Sequence, residues 1–78
     1  MPKPQHTPRY QKLPGMLREM REAATLTQRD LAKKLKMSHV AIHLSEVGDR
    51  RVDVTEFIDW CKGCGVDPLE AMARLLNT

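Results

Sequence analysis

The chain has 78 residues, 29% of them charged and 41% hydrophobic, and a formal net charge of +3. That length supports one domain at most, and so short a chain buries only about 60% of its unfolded surface, which leaves a thin stability margin. No apolar run is long enough to span a bilayer. The opening MPKPQHTPRYQKLPG lacks the apolar core of a secretory signal, so a cytoplasmic protein with no membrane attachment is expected. The charge is uneven. Residues 1–15 carry Lys3, Arg9 and Lys12 and no acid; residues 28–51 carry six basic residues against Asp30, Glu46 and Asp49; residues 52–78 carry Lys62 and Arg74 against five acids. A positive face suits a polyanion such as nucleic acid, although a solvated mixed surface has the same composition.

Four prolines in the first 14 residues fix φ and remove backbone donors, which predicts a flexible basic arm over residues 1–12 and a domain over 13–78. A first helix is expected from near Pro14, with Leu13, Leu17, Met20 and Ala24 on one face. Thr27 then caps a short second helix with Asp30 in its first turn. Leu31, Ala32 and Leu35 form its inward stripe, and Lys33, Lys34 and Lys36 crowd its end. After a tight turn, Ser38 caps a third helix that Gly48 ends. Asp53 caps a fourth, whose Phe57, Trp60, Cys61 and Cys64 recur at helical spacing; Gly65 supplies a left-handed exit. Asp67 and Pro68 open a fifth, with Leu69, Met72, Leu75 and Leu76 as its apolar side. No strand signal competes, so the fold class expected is all-α, with five short helices.

The segment SHVAIHLSEVGDRR is unusual because Val40, Ala41, Ile42, Leu44 and Val47 leave its helix no clean polar face. At about 100° per residue, Val40, Leu44 and Val47 lie within about 60° of one another, with Ile42 roughly opposite. One small domain cannot bury both sets. Ile42 is expected in the core, Val40 and Leu44 in solvent, and Ser45 at the core edge bonded to a backbone carbonyl. CKGC is a C-x-x-C motif, which raises zinc or a redox pair, with His6, His39 and His43 elsewhere. Both cysteines also fall on the apolar stripe, where free Cys behaves as a small hydrophobe. No second C-x-x-C supplies the remaining ligands, so neither a metal site nor a cofactor is expected.

Two short helices joined by a tight turn, the first rich in Lys and the second Ser-capped, form a helix-turn-helix pattern. The segment LTQRDLAKKLKMSHVAIHLSEVGDRR resembles the Cro/phage-repressor type, the Xre family, and the likeness runs on through VDVTEFIDWCKGCGVDPLEAM. Its most specific parts are Leu26-Thr27-Gln28, Leu31-Ala32, Ser38, Glu46-x-Gly48, Arg50-Arg51 and Gly65-Val66-Asp67-Pro68. The resemblance implies a compact five-helix domain of the phage-repressor type and sequence-specific binding of double-stranded DNA by a repressor-like homodimer. It implies DNA phosphate contacts from Thr27, Gln28, Lys36, Ser38, Arg50 and Arg51, and base readout from His39, Val40, His43 and Leu44. Glu46 pairs with an Arg of the first helix in such proteins, and Arg21 is the matching position.

The sequence departs from the family pattern in that second helix. Ser45 stands where Leu or Ile is usual, and Leu44 where a polar residue is usual. Cys64 and Cys61 stand where Leu and Ala are usual. Apolar readout of thymine methyls by Val40 and Leu44 is one consequence. A helix rotated to turn Leu44 inward and Ser45 outward is a second. The third is an antitoxin-like or degenerate helix-turn-helix module whose apolar strip binds a protein partner. No nucleotide-binding, nucleophile-elbow or H-E-x-x-H motif is present, so an enzyme is not expected.

Overall fold

Five capped starts divide the chain into five helices in the computed structural model, which describes residues 7–77. They are α1 (Pro8–Ala23), α2 (Gln28–Leu35), α3 (His39–Val47), α4 (Val54–Gly63) and α5 (Pro68–Leu76). No strand occurs among the described residues, so the fold is all-α. Each helix opens on a polar side chain that accepts a first-turn backbone N–H: Thr7, Thr27, Ser38, Asp53 and Asp67. At Thr27 and Asp53 the arrangement is reciprocal, because the Asp30 and Glu56 carboxylates accept the cap residue's own N–H.

The first helix begins at Pro8, not near Pro14, so residues 8–12 of the expected arm are helical. Lys3 and the rest of the arm up to residue 6 lie outside the described residues. Thr7 and Pro8 provide the reason: a cap whose Oγ1 accepts from Tyr10 N, followed by a proline at the first helical position. Pro14 therefore sits inside the helix, where a proline costs roughly 3 kcal/mol through a lost hydrogen bond and a ring clash. Two tertiary contacts hold the early turns. The Tyr10 hydroxyl accepts from Val52 N at 2.7 Å, and Lys12 Nζ donates to Arg74 O at 3.0 Å.

Trp60 is fully buried at the centre and donates from Nε1 to Leu17 O at 3.1 Å. Met16, Leu17, Leu31, Ile42 and Phe57 pack into the same cluster. In α5 the buried residue is Ala71; Leu69 and Leu76, expected inward, are 79% and 59% exposed. Met72 and Leu75 pack at the edge of the core. Ala71 is the α5 side chain that is fully buried, and Leu69 and Leu76 face outward.

The CKGC cysteines pack in the core. Cys61 and Cys64 are free and buried within the core cluster. Burial pushes the Cys61 thiol up to about 11 and raises that of Cys64, so both stay protonated at neutral pH. A Cβ on the intervening Gly63 would lie 3.2 Å from Leu31 Cδ1 and 3.3 Å from Leu35 Cδ2. The glycine thus marks where α4 meets α2. No described helix is long and apolar enough to cross a membrane.

Candidate nucleic-acid interface

Only Lys36, Met37 and Ser38 separate α2 from α3. Lys36 takes the left-handed conformation, φ 55° and ψ 42°, that ends α2. Met37 N returns to Ala32 O at 3.0 Å, and the Ser38 Oγ accepts from Ala41 N at 3.0 Å, so one helix ends and the next begins almost at once. Gly48, at φ 85°, ends α3.

The short α3 divides along its length. Ile42, Ser45 and Glu46 are buried, at i, i+3 and i+4. His39, Val40, His43 and Val47 are exposed on the other side. Ile42 is wholly buried while Val40 is 52% and Val47 53% exposed, so the two apolar sets separate and the rotated helix is ruled out. Ser45 goes further into the core than its expected edge position: it is 1% exposed, and its Oγ donates to Ala41 O at 2.8 Å. Leu44, expected in solvent, is only partly exposed. The exit loop folds back to this turn, where Asp49 N and Arg50 N both donate to Leu44 O. Val47, which the helical spacing places on the same side as Val40 and Leu44, is exposed with Val40.

Arg21 anchors α3 to α1. Its Nε and Nη2 reach the two Glu46 carboxylate oxygens at 2.6 and 3.1 Å, and its Nη1 donates to Leu26 O at 2.8 Å. The side chains are 11% and 2% exposed. Gln28 Nε2 donates to Glu46 Oε1 at 3.1 Å and lies 3.5 Å from His43 Nδ1. The Gln28 side chain, expected on a phosphate, is therefore turned toward α3 and links the buried ion pair to an exposed histidine of the outward face. The Thr27 and Ser38 hydroxyls act as caps, and Lys36 and Arg51 are exposed.

Arg50, expected on a phosphate, is engaged within the protein. Its Nη2 and Nη1 contact the two Glu56 oxygens at 2.6 and 3.1 Å, and Nη1 also reaches Arg51 O and Ser45 Oγ. The Glu56 carboxylate is the principal partner, and the Ser45 contact is longer, at 3.4 Å. The bond from Arg50 holds the Glu56 carboxyl below its ordinary range. A carboxylate depressed in the folded state stabilises above its unfolded value, about 4.3, and loses that contribution as pH falls through the folded value. Arg50→Ala is expected to cost about 1 kcal/mol for this partly exposed pair. Melting curves from pH 7 to 3 should fall less steeply for Glu56→Gln than for the wild type. Parallel acid limbs would show that the pair does not stabilise the fold.

A helix-turn-helix unit with an outward second helix is the class this geometry defines, and residues 15–76 match the family described as a helix-turn-helix domain. The fold matches an XRE-family like protein from Pseudomonas syringae pv. tomato str. DC3000 at 40% identity, covering 88% of this chain and 84% of that one, with a TM-score of 0.83. The restriction-modification controller protein C.AhdI from Aeromonas hydrophila is 27% identical over 77% of this chain and 91% of its own, with a TM-score of 0.71. The clp gene regulator ClgR from C. glutamicum shares the fold alone, at 20% identity, 96% coverage of each chain and a TM-score of 0.79. No curated protein matches the chain. The chain belongs to the XRE family of helix-turn-helix proteins.

Proposed function

We propose that the chain is a repressor-like transcriptional regulator that binds double-stranded DNA sequence-specifically as a homodimer, with α3 in the major groove. The observation that carries this reading is the division of α3, whose buried side is anchored through Glu46 while His39, Val40, His43 and Val47 stand free of the core. Val40 and the partly exposed Leu44 suit thymine methyls, and the two histidines suit base edges. Phosphate contacts fall to Lys36, Arg51 and the α2 and α3 starts at Thr27, Gln28 and Ser38, where helix N-termini favour anions. Arg50 is left out because Glu56 holds it.

Nine residues of α3 extend about 13 Å, roughly four base pairs, so a second copy is needed to read a longer site. The exposed Leu69 and Leu76, seven residues apart on α5, support a self-association surface. A second reading, a protein-interaction module, is favoured by the exposed Val40 and Val47. Selection from random duplex DNA, followed by retention measured against salt, separates the two. Enrichment of an inverted repeat is expected, with affinity falling steeply as salt rises. Failure to retain any duplex, with Val40→Asp abolishing capture of a protein partner, would establish the second reading and refute the first.

A further inference from the structure

The buried ion pair behind α3 is joined to an exposed histidine through one side chain. Glu46 accepts from Arg21 Nε at 2.6 Å and from Nη2 at 3.1 Å, so its carboxylate is held charged and can only accept. Gln28 meets Glu46 Oε1 at 3.1 Å, and the atom that meets it is therefore the amide nitrogen. The amide turned round would set its own oxygen against a carboxylate oxygen. That nitrogen carries two N–H donors. One donates to Glu46, and the other faces His43 Nδ1 at 3.5 Å.

A ring nitrogen met by a donor has to accept, so Nδ1 carries no proton and the proton of the neutral ring sits on Nε2. The surroundings favour the same tautomer. Arg18, Arg21, Gln28, Glu46 and Val47 line the hollow beside His43. The arginines offer donors only, and both Glu46 oxygens already accept, so the hollow holds no free side-chain acceptor for a proton on Nδ1. His43 Nε2 has no partner among the described residues, and the residue lies on the exposed side of α3.

We propose that Gln28 is a positioning residue that fixes the tautomer of His43, so that the outward face of α3 presents an Nε2–H donor and selects a base edge bearing an acceptor. It rests on the DNA-binding reading above and narrows it. In the major groove guanine presents N7 and O6 as acceptors, whereas cytosine presents an amino donor. At the position that His43 meets, guanine should therefore be preferred to cytosine about 5-fold, the effect of roughly one neutral hydrogen bond.

Long-range proton–nitrogen NMR of the isotope-labelled full chain at about pH 8, where an ordinary imidazole is neutral, reads each ring's tautomer directly. His39 is exposed and makes no hydrogen bond among the described residues, so it serves as the internal reference. His43 should show less of the Nδ1–H form than His39, and Gln28→Ala should raise that form to the His39 level. Gln28→Met, which keeps the bulk, takes its place if Gln28→Ala melts below the assay temperature. Equal fractions in the wild type, or no change in the variant, overturn the proposal without any DNA. Sites selected by the wild type and by His43→Ala then locate the position that His43 meets. There Gln28→Ala should lose the preference for guanine over cytosine and keep the preferences elsewhere. If the wild type binds no duplex, the DNA-binding reading falls and the base-edge role falls with it, whatever the NMR shows. If it binds, and His43→Ala changes no position or Gln28→Ala keeps the guanine preference, only this proposal is overturned.

Discussion

Replacing Arg21 with Ala is expected to lower stability by about 3–5 kcal/mol and Tm by roughly 15–25 °C. The sequence alone suggests a far smaller effect, because an exposed ion pair is worth roughly 0–1 kcal/mol. Burial changes the outcome. Glu46 is 2% exposed, and its oxygens accept from Arg21 Nε and Nη2 and from Gln28 Nε2. Without the guanidinium, a buried carboxylate keeps only one amide donor, and the Leu26 carbonyl loses its bond from Arg21 Nη1. Arg21→Lys should recover only part of the loss, because an ammonium cannot reproduce the planar fork. The double variant Arg21→Met/Glu46→Leu, which leaves no charge behind, should be much more stable than Arg21→Ala. Urea and thermal unfolding of the four proteins check this. A loss below about 1 kcal/mol for Arg21→Ala would mean that the pair does not anchor α3.

The legible parts of the fold were those written in local chemistry. Thr27, Ser38, Asp53 and Asp67 each precede a helical apolar repeat, and each is a cap. Thr7-Pro8 carries the same cap-then-proline signature as Asp67-Pro68, yet the prolines around it favour reading an arm. The contacts that hold Tyr10 and Lys12 come from Val52 and Arg74, far along the chain, and no local pattern announces them. In α5 periodicity marks four apolar positions as inward, but how closely a helix approaches decides between Leu69 and Ala71. The site follows the same division. The register of α3 follows from its cap and exit, whereas the engagement of Arg50 depends on the Glu56 carboxylate in the first turn of α4.

The two apolar faces of α3 should respond to truncation in opposite ways. Ile42→Ala is expected to cost about 3 kcal/mol, in the range for removing a fully buried aliphatic side chain and leaving a cavity. Val40→Ala should change stability by less than about 0.5 kcal/mol, as for surface positions away from caps and networks. The contrast rests on exposure: Ile42 is wholly buried in the core cluster, while Val40 is 52% exposed two residues earlier. Binding should show the reverse order once stability is accounted for. Val40→Ala removes methyl groups from the face proposed to meet thymine methyls, so it should weaken the selected duplex more than an unrelated one. Ile42→Ala, assayed well below its melting temperature, should bind with nearly wild-type preference, because its side chain never reaches the groove. Leu44→Gln should fall between, with a moderate loss of Tm and altered preference, since the side chain is neither core nor free. Thermal melts paired with competition binding give all six values. If Val40→Ala lowers Tm as far as Ile42→Ala does, Val40 is a packing residue and the outward face of α3 is not the reading surface.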